Sequence, residues 1–312
     1  MENLNLINTN FKLSESEIKQ FKECGFVLLK QFFSKEMMKV LQTKIESHLA
    51  SPSDKYQSGF NRVKYDIFDE DEDLRALFLD KIYRSTIRRL SGRDMLHTQT
   101  LAFELKQNQS KGFPWHIGTQ SFGFQKAEDF GCTLWTPLMK IDNQKQKGGM
   151  SYVPKNIISG SFMYDYVDPA SFRLLQEYID SKQEISLEEF IELRDGPLNH
   201  PAMKRLLDYY AVADDFEIGD ALLFDKYVIH KSVMLQEGPE DTRVALAIRF
   251  IDAQSRYDQK RALDLEIPRK LYGYTGPTKY HLEVAHKNDQ LIAEGPLYKG
   301  KEYRLITADL LC

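Results

Sequence analysis

Residues 113–118 read Phe113-Pro114-Trp115-His116-Ile117-Gly118. Far downstream, Gly219-Asp220-Ala221-Leu222-Leu223-Phe224 leads to Ile229-His230, with Arg243 beyond. A polar loop reaches a strand at His116, and a turn followed by an apolar strand carries His230 toward the interior. Two histidines brought together in this way suit a first-row metal such as Fe(II). Such a site normally adds one carboxylate on the same face and leaves three positions open. The carboxylate belongs two residues after the first histidine. Gly118 stands there, and glycine has no side chain to offer.

Outward from these stretches, segments 98–105, 133–140, 150–153, 221–224 and 243–252 have strand composition, and Gly and Asp separate several of them. Many short strands without alternating helices argue for an antiparallel sandwich. The expectation is a mainly β fold with flanking helices: a double-stranded β-helix (jelly-roll, cupin-like) core over about 95–252, in a single domain spanning 1–312. A helical part precedes it, about 14–92. Ser14-Glu15-Ser16-Glu17 is a capping box, Gly25 ends that helix, and Phe26-Val27-Leu28-Leu29 follows as a buried strand. Ser34 can cap a second helix, and a third is expected over 74–90, stopping before Gly92. Between 161 and 216 the pattern turns helical again, with Pro169 at a first helical position, a second capping box at Ser186-Leu187-Glu188-Glu189, and Pro201. That insertion is too long for a plain connector and is expected to cover the barrel mouth as a lid that selects substrate. The charged tail after Asp252 receives no role.

Composition narrows the partners. The net charge of −4 comes with dispersed lysines and arginines, which argues against nucleic acid or an anionic membrane as a bulk partner. Cys24, Cys132 and Cys312 are far apart and lack paired spacing, which fits a reducing cytoplasm. The N-terminus shows no secretory signal, and no window is apolar enough to span a membrane. Asp69-Glu70-Asp71-Glu72-Asp73 reads as a solvated helix start. His48, His97, His200, His281 and His286 read as ordinary polar residues.

Arg243 is expected on the strand after His230, on an antiparallel return beside it. A guanidinium deep in a barrel needs an anionic partner, because an unpaired buried charge is costly. Arg249 lies an even number of residues further along the same strand, so both arginines can face inward.

In order and spacing, several motifs resemble the phytanoyl-CoA hydroxylase-like branch of the Fe(II)/2-oxoglutarate oxygenases. The resemblance covers roughly residues 18–252. Phe21 to Leu29 resembles the family's opening of helix, glycine and buried strand. Pro114-Trp115-His116 resembles the proximal ligand motif, and Leu134-Trp135-Thr136-Pro137-Leu138 the strand whose tryptophan lines the cosubstrate pocket. Gly148-Gly149-Met150-Ser151-Tyr152-Val153-Pro154 resembles the double-glycine turn and strand, Ser159-Gly160-Ser161 stands near the usual Gly-Ser corner, and His230-Lys231-Ser232 resembles the distal histidine followed by a hydroxyl.

What the resemblance implies is specific. His116 and His230 hold Fe(II). Arg243, Ser232 and Trp135 bind 2-oxoglutarate, with O2 as the second cosubstrate. Glycine at position 118 departs from the hydroxylases and is similar to the 2-oxoglutarate-dependent halogenases. There chloride takes the open position, and Arg249 would stand near it. Together, Gly118, Arg243 and Arg249 most resemble the halogenase domains of the polyketide assembly lines that make curacin and jamaicamide. This implies chlorination of an unactivated carbon in an acyl group on an acyl carrier protein. A homodimer stays open as an assembly state. Two other readings also stay open: a hydroxylase of a free small molecule, and a non-catalytic binding module on a relic barrel.

Overall fold

The computed structural model describes residues 5–53, 59–272 and 279–307; Cys312 and the first four residues lie outside them. The strands are β1 (Phe26–Leu29), β2 (Arg62–Tyr65), β3 (Met95–Lys106), β4 (Gly131–Pro137), β5 (Met150–Tyr152), β6 (Ala221–Asp225), β7 (His230–Ser232), β8 (Thr242–Asp252) and β9 (Leu305–Ile306). Seven form one antiparallel sheet in the order β1-β6-β4-β8-β3-β2, with β9 on β3. β5 and β7 form a second, shorter sheet. Single bridges extend it on both sides, so that His116, His230, Tyr152 and Val212 lie in one row across it. These are the two layers of a jelly roll.

The large sheet is covered on both faces, which is why β1 and β6 read as near-continuous apolar runs rather than alternating ones. In β8, Leu246, Ile248 and Phe250 join the outer cluster, whereas Ala245 and Ala247 join the inner one with Trp135, Phe103 and Leu105. The register of β8 on β4 runs unbroken from Gly131↔Ile251 to Pro137↔Ala245, so Arg243 and Arg249 share the inner face. The outer face is covered by helices α1 (Glu15–Cys24) and α2 (Lys35–Leu49), the first capped by the Ser14 box and closed by Gly25 at φ 79°, the second capped by Ser34. Ile248 is wholly buried in that interface. Ile248→Ala is expected to destabilise the fold by about 2–5 kcal/mol, read as a lower urea midpoint.

Several expectations need correction. After a short α3 (Ile67–Glu70), the helix expected over 74–90 is broken into α4 (Glu72–Arg75), a 3-10 turn at Ala76–Leu79 and α5 (Lys81–Ser91). Asp80 has extended backbone, and its carboxylate accepts the Tyr83 N–H, so a new helix starts there. The segment 221–229 is not one strand: β6 stops at Asp225, and His230 opens β7 in the other sheet. Arg243 therefore does not return beside His230 in the same sheet. It lies near the start of β8 in the large sheet, opposite Leu105 of β3.

His97 is not a surface residue. Its ring lies 4.0 Å from that of Phe78, with Phe68 and Phe250 around it, and neither ring nitrogen has a partner among the described residues. Burial pushes its pKa down to about 3. The folded state keeps this imidazole neutral, while the unfolded chain protonates it near pH 6.5, so acid favours unfolding. Stability is expected to fall by about 1.4 kcal/mol per pH unit on this account as pH drops from 6.5 toward 3. Denaturant titrations of His97→Phe at several pH values should show that slope reduced; an unchanged slope would refute the assignment.

Helix α6 (Thr119–Phe122) follows Gly118 directly. The lid carries α7 (Asp168–Asp180), α8 (Leu187–Asn199) and α9 (Pro201–Tyr210), with a π-helical turn at Met163–Val167 before α7. Pro169 sits at the start of α7, and Ser186 makes its capping box. Pro197 inside α8 has no N–H for the Leu193 carbonyl, and the Ser171 hydroxyl donates to that carbonyl at 3.2 Å. The tail folds back as α10 (Gln259–Asp264), α11 (Glu266–Leu271), α12 (Tyr280–Glu283) and β9. Among the described residues, no helix is long and apolar enough to cross a membrane.

Candidate metal and cosubstrate site

His116 and His230 are directly opposed on neighbouring strands. The His116 N–H donates to the His230 carbonyl at 2.9 Å, and the His230 N–H to the His116 carbonyl at 3.0 Å. Residues paired in this way project their side chains to one face, and the ring centroids are 4.2 Å apart. Each Nδ1 lies 2.8 Å from a carbonyl two residues earlier, that of Pro114 for His116 and that of Val228 for His230. A carbonyl only accepts, so Nδ1 carries the proton and Nε2 keeps its lone pair. Backbone anchoring of the far nitrogen fixes both tautomer and ring orientation, as in metal-binding histidines. Burial holds both imidazoles below the usual histidine range; for His230, the neighbouring His116 and the charge of Arg249 add to it. Both rings are neutral and able to bind a metal. Among the described residues, no aspartate, glutamate or cysteine joins them as a third ligand.

Gly118 lies on the wall of the same cavity. Its φ of −75° is open to any residue, so backbone conformation does not require glycine. Space is tight. A Cβ there would stand 3.0 and 3.1 Å from two ring atoms of Phe122 and 3.6 Å from the Tyr164 hydroxyl. A side chain at this position presses the Phe122 ring back by a few tenths of an ångström.

Arg243 supplies the clearest sign of a missing anion. It is 1% exposed, its Nε donates to the Gly148 carbonyl, and neither Nη1 nor Nη2 has a partner among the described residues. The guanidinium lies 5.5 Å from the centre of the Phe103 ring and 5.6 Å from that of Trp135, and burial pushes its pKa down to about 9. The indole N–H of Trp135 is also buried without an acceptor among the described residues. Ser232 and Trp135 line the cavity, and Ser232 packs on the Cα of Gly112, whose φ is +66°. Unpaired donors on two neighbouring residues, Arg243 and the cavity-lining Trp135, fit a bound carboxylate. Arg249 faces the cavity nearer the histidines, and its low-polarity surroundings push its pKa down.

The fold brings His116, His230, Gly118, Arg249, Ser232 and Trp135 onto the wall of one cavity, with the Arg243 head group just behind Trp135 and Phe103. Sequence reasoning missed the far wall. The lid contributes Phe172, Arg194 and Asp195, and the tail contributes Leu265, Arg269 and His281. Arg194 and Asp195 form a bidentate pair at 2.9 and 2.7 Å, and both act electrostatically on His116, with opposite sign. His281, expected as an ordinary polar residue, is buried with its Nε2 2.7 Å from Glu266, which also pairs with Arg269 at 2.8 Å. Lys226 was missed as well. Its buried ammonium donates to the Ala127 carbonyl at 2.7 Å over the faces of Tyr164 and Tyr227, and desolvation pushes its pKa down to about 7. A lysine closing an apolar strand was the available signal.

No family model matches the sequence, and no curated protein matches it. Solved structures do share the fold. The non-haem alpha-ketoglutarate-dependent carbocyclase SnoK from nogalamycin biosynthesis is 16% identical and superposes with a TM-score of 0.57, covering 79% of this chain and 87% of its own. The epimerase SnoN, in complex with Fe3+, alpha-ketoglutarate and nogalamycin RO, is 15% identical, with a TM-score of 0.56 over 78% and 85% of the two chains. EctD from S. alaskensis with bound Fe is 16% identical, with a TM-score of 0.54 over 81% and 83%. At these identities the likeness establishes the jelly-roll fold.

Proposed function

We propose that this chain is a non-haem Fe(II)/2-oxoglutarate-dependent oxidoreductase, and specifically a halogenase acting on an unactivated aliphatic carbon. One observation carries the reading: two neutral histidines present free Nε2 atoms to a cavity while the expected third ligand is Gly118, with no acidic residue taking its place among the described residues. His116 and His230 would hold the iron, and Arg243 would pair with the far carboxylate of 2-oxoglutarate, aided by the Ser232 hydroxyl and the Trp135 N–H. The neighbours named with iron and alpha-ketoglutarate support that choice of cofactors.

Bound iron would supply O2 activation coupled to cosubstrate decarboxylation and C–H cleavage. The overall reaction takes a C–H bond, chloride, 2-oxoglutarate, O2 and one proton to a C–Cl bond, succinate, carbon dioxide and water. O2 accepts four electrons, two from the oxidised cosubstrate and two from the substrate carbon. The chain's part is placement. Gly118 leaves room for an anion, and Arg249 offers a positive charge beside His230, which offsets the desolvation of a buried halide. Phe172, Arg194 and Asp195 form the lid side of the chamber and would hold substrate against it.

An acyl group on an acyl carrier protein is the proposed substrate class, supported by the motif resemblance; comparing carrier-bound with free acyl substrates tests it. Mass spectrometry of product formed with and without chloride tests the reaction. Chlorinated product has the two-isotope pattern of chlorine and disappears without chloride. An added oxygen that is indifferent to chloride would make the protein a hydroxylase.

A further inference from the structure

His116 forms the outer edge of the second sheet. Its own N–H and carbonyl are both used by His230. In an antiparallel ladder, the neighbouring residue then turns its polar groups the other way, toward a position that no strand fills among the described residues. That neighbour is Trp115, which is 1% exposed, so water cannot serve its peptide groups. Asn199, the last residue of lid helix α8, serves both. Its Oδ1 accepts the Trp115 N–H at 3.1 Å, and its Nδ2 donates to the Trp115 carbonyl at 2.8 Å. A carboxamide carries one acceptor and one donor group, as a peptide does, and stands in for the missing strand.

The surroundings reinforce the grip. Asn199 Nδ2 is also held by the Asp195 carbonyl at 3.0 Å, and the same helix sends Arg194 and Asp195 into the cavity wall. The Trp115 indole N–H donates to Asp208 of α9 at 3.1 Å, and Lys231, next to His230, lies 4.5 Å over the indole ring. Lid helices α8 and α9 thus both hold the residue beside a proposed metal ligand.

We propose that Asn199 is a positioning residue for the metal centre. It fixes the Trp115 backbone, thereby sets the direction of the His116 imidazole, and couples lid docking to metal binding. The inference rests on the reading of His116 and His230 as metal ligands.

The test is anaerobic Fe(II) titration of the full chain with 2-oxoglutarate, following the visible charge-transfer band, with unfolding of the metal-free proteins in parallel. Asn199→Ala is expected to weaken Fe(II) binding by about tenfold or more, in line with losses of support behind metal ligands. Asn199→Asp keeps the acceptor but sets a carboxylate oxygen against the Trp115 and Asp195 carbonyls, and is expected to bind Fe(II) no better than Asn199→Ala. Tyr272→Phe removes other lid hydrogen bonds, those to the Ile185 and Ser186 carbonyls at 3.1 Å, and is expected to bind Fe(II) as the wild type does, whatever its stability. Wild-type affinity in Asn199→Ala, or an equal loss in Tyr272→Phe, overturns the proposal alone. A wild-type chain that binds no Fe(II) overturns the metal reading itself, and this inference with it.

Discussion

Arg243→Met is expected to abolish turnover while leaving the cosubstrate-free protein as stable as the wild type or more so. This is the reverse of the usual result for a fully buried residue. In the free protein the guanidinium satisfies only Nε, on the Gly148 carbonyl, while Nη1 and Nη2 are buried beside the Phe103 and Trp135 rings without a partner among the described residues. Replacing an uncompensated buried charge with an apolar side chain of similar length relieves desolvation. With 2-oxoglutarate present the sign reverses, because the wild type gains a bidentate charged pair that the variant lacks. Removing one partner of such a pair costs about 2–5 kcal/mol, or about 30-fold to several thousand-fold in affinity. Thermal melts with and without 2-oxoglutarate read both effects: a large upward shift in the wild type and none in Arg243→Met. An unstable variant that still binds 2-oxoglutarate would show that Arg243 serves packing alone.

Gly118→Asp is expected to remove chlorination entirely, without yielding a good hydroxylase. A carboxylate there competes with halide for the open position, which eliminates chlorinated product. It must also press back the Phe122 ring, which is 3.0 Å from where the new Cβ would be, so the single variant should bind Fe(II) less well than one with that ring removed. Gly118→Asp combined with Phe122→Ala gives the carboxylate room. That double variant is expected to regain Fe(II) and to produce a hydroxylated product with no chlorine. Product mass and metal content separate the cases. Continued chlorination by the single variant, with its aspartate bonded to iron, is incompatible with the open-position argument.

Much of this was legible because the chain is locally consistent. Ser14, Ser34 and Ser186 cap the helices where their spacing places them, and Gly25 and Gly92 end helices with φ of 79° and 71°. β6 and β8 read clearly because burial on both faces leaves mostly apolar residues, while β3 also buries His97, Thr98, Gln99, Thr100 and Glu104. What escaped detection depends on contacts distant in sequence. The break at Asp80 is a side-chain cap that competes with a continuous apolar period. The separation of His230 from β6 follows from a turn at Lys226 and Tyr227, where the Asp225 carboxylate accepts the Tyr227 N–H at 2.7 Å. His97 and His281 look like any polar residue until Phe78 or Glu266 is seen against them. Arg194 and Asp195 sit in an amphipathic helix, whose period tells that one face is covered but not what covers it. The Asn199 contact joins residues 84 apart in sequence, which no local pattern could register.

The most direct measurement is a crystal grown anaerobically with Fe(II), 2-oxoglutarate and bromide, with data collected at the bromine absorption edge. The account predicts an anomalous bromide peak within bonding distance of a metal held by His116 and His230, on the side facing Gly118, with 2-oxoglutarate reaching Arg243. A carboxylate of this chain in that position, with Asp195 of the lid as the acid to watch, and no bromide on the metal, would contradict it.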